Sequence, residues 1–239
     1  MRERSNYIGI NQRIQFEVLD SGIHDFLLNG KVSKELFMNH IREFTKGENR
    51  VEKEASYIML IFKRQQEILH WIQSKCNAEQ YLLISKQGRQ AIALCLVSLT
   101  FPITYDLLNV LGGVFKVQQS INKQSIVQKM SLNYGSNRSL FNAMDALLQM
   151  FIEQEAIQRV KIGLYSFGSK KIIISPFTTE LLIYTDIKLS LSKSILVDDI
   201  SHRSWYSFFQ LKINKELKFE LVRLSDSMIG QGYLTLIQK

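Results

Sequence analysis

The sequence predicts a mainly α protein whose C-terminal part mixes helix and strand. Three observations carry that expectation. Apolar residues recur at helical spacing from Ile14 to Phe151. Breakers are scarce, with 12 Gly and 2 Pro in 239 residues. Strand-type runs enter only from Ile157 onward, with period-two alternation clearest in residues 211–221.

Taken in order, residues 10–29 read as a helix with Ile14, Val18 and Leu19 on one face, stopped at Gly30. Residues 32–44 begin anew behind Ser33 as N-cap, with Leu36, Phe37, Ile41 and Phe44 inward. Residues 51–75 give the longest helical pattern, striped by Ile58, Ile61, Phe62, Leu69 and Ile72 and interrupted by the polar turn at residues 63–66. Residues 78–119 continue as two or three helical pieces broken at Gly88 and Pro102 and weakened at Gly112 and Gly113. Nearly every residue from Ile92 to Leu99 is apolar, which places that piece in the interior. Residues 1–103 thus read as a helical bundle.

Residues 104–176 follow another plan. Asn122 caps a short helix carrying Ile126, Val127 and Met130, and Tyr134-Gly135 breaks it. Ser136 or Asn137 then caps a long amphipathic helix, with Leu140, Phe141, Met144, Leu147, Leu148, Phe151 and Ile152 in one broad stripe. Two apolar-rich runs follow, residues 157–167 and 172–175, separated by Gly168-Ser169 as a hairpin turn with Lys170 and Lys171 at its base. Helix, turn, helix and basic hairpin together describe a winged helix-turn-helix. Residues 177–239 complete the chain as an α+β extension: a helix and strand over 178–191, a helix over 199–210, then a strand over 211–221 or a helix over 214–227, with a closing turn at Gly230 and Gly232.

Charge gives this plan a function. Net charge is +8, and residues 116–171 carry eight basic against three acidic side chains, so five of the eight excess charges lie in under a quarter of the chain. Basic charge concentrated on one module is the footprint of a phosphate-binding surface, although a solvated basic face has the same composition. The expected partner is double-stranded DNA. In the second helix of the pair, Arg138 and Asn142 suit guanine and adenine edges by paired hydrogen bonds. Ser136, Asn137 and Ser139 would donate to phosphates at the helix N-terminus. Lys129 on the first helix and Lys161, Lys170 and Lys171 on the hairpin would hold the backbone as point charges.

Several other classes find little support. Cys76 and Cys95 are too few and too far from histidines for a zinc cage or a disulfide framework, and read as reduced thiols of a cytoplasmic protein. The N-terminus lacks an apolar core of signal-peptide length, and the most apolar run, residues 91–103, falls far short of the roughly 20 residues that span a bilayer. His24, His40, His70 and His202 are isolated on different elements. Gly112-Gly113 lacks the Lys-Ser/Thr of a phosphate loop, and no nucleophile elbow occurs. No cofactor, membrane or small-molecule substrate is expected.

The chain is also similar to the BrxA family of bacterial BREX phage-defence systems. The resemblance covers roughly residues 25–160 and rests on LLNGKVSKELFMNHIREF, on a long helix ending EILHW, on QAIALCLVSLTFPITYDLL and on SLNYGSNRSLFNAMDALLQMF. It implies a non-enzymatic, DNA-binding accessory protein acting beside a methyltransferase and other defence proteins.

Two further readings belong to other classes. A winged helix also serves as a protein-interaction scaffold, with the aromatic run Trp205, Tyr206, Phe208 and Phe209 as a docking surface or, more simply, as core. A metal-dependent nuclease would need Asp198 or Asp199, Glu216 and Lys218 to converge on a scissile phosphate, a degenerate pattern in a chain with 22 acids and 30 bases.

Overall fold

Polar side chains set where most of the helices begin. Ser33 accepts from Leu36 N at 3.2 Å and opens α2 (Lys34–Arg42), after α1 (Phe16–Asn29) has ended on the left-handed Gly30. The expected helix over 51–75 is two helices, α3 (Glu48–Arg64) and α4 (Gln66–Lys75), parted at Gln65 within the polar turn. Asn77 and Gln80 form a reciprocal capping box for α5 (Ala78–Leu83). Ser85 caps α6 (Lys86–Thr100) through Gly88 N at 3.2 Å, so the expected break at Gly88 lies three residues earlier and Gly88 sits inside a helix. Pro102 does break the chain, before α7 (Ile103–Phe115). The computed structural model describes residues 7–211, 219–225, 230 and 232–237.

The second unit begins with β1 (Ser120–Asn122). Asn122 caps α8 (Lys123–Tyr134) through Ser125 N at 2.8 Å, and Asn137 caps α9 (Arg138–Glu153) through Leu140 N at 3.0 Å. Strands β2 (Ile157–Lys161) and β3 (Leu164–Phe167) form an antiparallel hairpin. β3 also pairs with β1, with Ile121 opposite Tyr165, so a three-stranded sheet in the order β1-β3-β2 encloses the helix pair. The hairpin turn is therefore at Ile162-Gly163, where Gly163 has φ +73°, and not at Gly168-Ser169. Gly168 answers a different demand. A Cβ there would stand 2.1 Å from the carbonyl oxygen of Glu155, because residues 168 and 169 bond back to Ala156 and Glu155 at the open end of the hairpin.

Beyond it, β4 (Lys171–Ile172) pairs in parallel with β6 (Phe209–Gln210). Between them lie α10 (Pro176–Ser190), β5 (Ser194–Leu196) and two 3-10 turns over residues 200–202 and 204–208, the latter in place of the expected helix. Strands β7 (Val222–Ser225) and β8 (Tyr233–Leu236) join β5 in an antiparallel sheet of order β5-β8-β7. Most of the expected strand over 211–221 lies outside the described residues. The fold is mainly helical, with small sheets.

The interior is centred on α6 and α10, which pack on each other. Both are buried almost all round, α6 as expected of residues 92–99 and α10 with several polar side chains among its buried ones. No single helix among the described residues is long and apolar enough to cross a membrane. Buried apolar side chains form one continuous cluster from Ile10 to Leu234. Trp205, Tyr206, Phe208 and Phe209 belong to it, so the aromatic run is core and not an exposed docking surface. Buried polar groups pin the elements together. The Asp186 carboxylate on α10 accepts from Tyr105 OH at 2.5 Å and from Arg203 Nε and Nη2 at 2.6 and 2.8 Å. Glu180, also buried on α10, accepts at one oxygen from the backbone N–H groups of residues 220, 221 and 222, tying the C-terminal sheet to the core.

Candidate nucleic-acid interface

The long helix α9 is built to bury one face and offer the other. Leu140, Met144, Leu147, Leu148 and Phe151 are buried, as the apolar stripe requires. Phe141 departs from that stripe and is 45% exposed. On the opposite side Arg138, Asn142, Asp145 and Gln149 recur at i, i+4, i+7 and i+11, a single outward row. Arg138 and Ser139 are exposed at the helix start, and Asn142 one turn further along. Ser136 is exposed in the turn before it.

Asn137 is exposed, but both ends of its amide are engaged. Its oxygen accepts from Leu140 N and its nitrogen donates to Tyr134 O at 3.2 Å. These two bonds fix the turn that opens α9. Tyr134 is held in turn by its hydroxyl, which donates to Asp106 on α7 at 2.6 Å. The start of α9 is thereby anchored to the preceding helices.

The cations expected on the hairpin divide. Lys161 is exposed beside the turn, and Lys129 is exposed on α8. Lys170 is exposed at the open end, away from the tip, and lines a cleft with Val197, Asp198 and Gln210 of the C-terminal part. Lys171 is 1% exposed, and its ammonium donates to the carbonyl of Gln154. Burial pulls its pKa down to about 8, only partly opposed by the Glu155 carboxylate. It is a structural tie, so its expected role as a point charge on DNA is corrected.

Side chains not singled out from the sequence complete the site. Arg159 of β2 donates from Nη2 to Gln149 Oε1 at 3.2 Å, which sets the hairpin beside the outward row of α9. Both carboxylates on that face are matched by cations: Asp145 by Lys123 of α8, and Glu153 by Arg13 of the segment before α1. Residues 10–15, expected as the first turns of α1, instead run as an extended strap past α9. Arg159 could have been found as an outward residue of a strand, but Arg13 meets α9 only because of how the chain is routed.

Of the residues expected for a nuclease, only the aspartates Asp198 and Asp199 are among those described. Asp199 precedes a 3-10 turn, while Glu216 and Lys218 lie outside the described residues. Among the described residues no three His, Cys, Asp or Glu side chains gather where they could hold a metal ion. Cys76 and Cys95 are both buried free thiols, pushed by burial up to about 11 and about 12. No protein-family model, curated protein or solved structure matches the chain.

Proposed function

We propose that residues 104–176 form a winged helix-turn-helix that binds double-stranded DNA. In this reading α9 enters the major groove with Arg138 and Asn142 toward base edges, and Lys161 and Arg159 on the hairpin face the neighbouring phosphates. Ser136 and Ser139 donate to phosphates at the helix start, and Lys129 holds the backbone from α8.

The observation that carries the reading is the outward row of α9. A helix whose other face is buried presents Arg138, Ser139 and Asn142 at its exposed N-terminal end, with a basic hairpin fastened alongside through Arg159 and Gln149. The local excess of positive charge suits the same partner. The chain catalyses no reaction in this reading. Its place as an accessory protein of a BREX-type defence system rests on the resemblance to the BrxA family alone.

The test is fluorescence anisotropy of a labelled random-sequence duplex of about 30 base pairs across a salt series, long enough to cover a site of several phosphate contacts. Micromolar or tighter binding that weakens steeply with salt is the expected result. Absence of binding at low salt would turn attention to protein partners.

A further inference from the structure

We infer that the N-terminal unit supplies a second wall of this interface: the groove between α9 and the strap formed by residues 11–13, with Arg50 of α3, holds the sugar-phosphate backbone of DNA. The inference rests on the reading above and extends it to residues outside the helix-turn-helix.

The groove encloses about 350 Å³. Arg13 and Arg50 stand on one side, and Asn142, Asp145 and Gln149 of α9 on the other, with Ala146 the lone apolar residue of its lining. Such a lining offers hydrogen bonds and positive charge, and almost nothing to an apolar ligand. The two acidic groups of the α9 face do not repel an anion as free carboxylates would, since Lys123 meets Asp145 and Arg13 meets Glu153. Arg50 is exposed at the start of α3, and no described carboxylate forms an ion pair with it. A guanidinium so placed matches the paired oxygens of a phosphodiester.

The strap is a fixed wall. The Tyr57 hydroxyl donates to Asn11 Oδ1 at 2.8 Å, and Gln15 N donates to Glu54 Oε1 at 2.7 Å, so α3 holds the strap at both ends of the groove. Asn142 lines the groove and also lies on the row proposed to read bases. A strand contacted there has its backbone within reach of the opposite wall.

The experiment compares Arg50→Ala, Arg50→Lys and Lys63→Ala with the wild type in duplex anisotropy across salt. Lys63 is exposed on the same helix but outside the groove. Arg50→Ala is expected to weaken binding roughly fivefold near 0.1 M salt and to lower the salt slope by about 0.9, the loss of one phosphate contact. Arg50→Lys should keep most of that slope, and Lys63→Ala all of it. Unchanged affinity and slope in Arg50→Ala, with Arg138→Ala still impaired, would overturn the inference and leave the DNA reading standing. No binding by the wild type at low salt would overturn both.

Discussion

The ammonium of Lys171 donates to the backbone carbonyl of Gln154, the residue that ends α9. It ties β4 to the point where the helix passes into the hairpin. Because burial lowers the pKa from 10.5 to about 8, the unfolded chain holds more protons than the folded one between those values. Stability should therefore rise as pH increases from about 8 to 10.5. Lys171→Met should abolish that rise, measured by urea unfolding at pH 7.5 and 10, and should leave the salt slope of duplex binding unchanged. A flattened slope would return Lys171 to the interface.

Arg138→Ala should cost about 1–3 kcal/mol of duplex affinity, the range for a side chain paired with a base edge. Its thermal melt should match the wild type, since Arg138 is exposed and its helix is capped by Asn137. Equal affinity of the variant would remove the start of α9 from the interface.

Glu54 gives a pH dependence of opposite sign. Its side chain is buried, and burial raises its pKa to about 7 against the pull of the Gln15 N–H and of Arg13 and Arg50. The folded state then binds the extra proton between about 4.5 and 7. The resulting stability is complete below the unfolded value and is lost as pH rises through 7. Glu54→Gln keeps an acceptor for Gln15 N and carries no charge, so it should be more stable than wild type at pH 8 by on the order of 2 kcal/mol. Equal melting temperatures at pH 8 would refute this.

Two glycines of the hairpin should respond differently to alanine. Gly163 has a positive φ but open space around it, so Gly163→Ala should cost about 1 kcal/mol. Gly168→Ala drives a methyl group into the Glu155 carbonyl and should cost about 3 kcal/mol or more. Denaturant midpoints that reverse this order would contradict the assigned turn.

These cases also mark what could be read from the residues. The caps at Ser33 and Asn122, the cap of α9 to within one residue (Ser136 or Asn137), and most of the stripe of α9 are readable because each depends on side chains within a turn or two. The hairpin was misplaced because Gly163 and Gly168 look alike in sequence, while one supplies a left-handed turn and the other a close backbone approach. In β4 the alternation runs against composition. Lys171 and Ile173 point inward while Ile172 and Ile174 are exposed, a register that holds because the Lys171 ammonium finds a buried carbonyl. Arg13 and Arg50 gave no local signal at all. Their convergence on α9 depends on the route of the strap across α3.

The ladder between β1 and β3 has a consequence for dynamics. Lys123, the first residue of α8, donates its N–H to Gly163 in the hairpin turn at 2.8 Å, so the chain from 120 to 167 closes on itself around both helices. Such a closed loop opens as one cooperative unit. The amides of β1, α9 and β3 should show a common opening free energy in hydrogen exchange, and α9 should tilt on its neighbours only together with the hairpin.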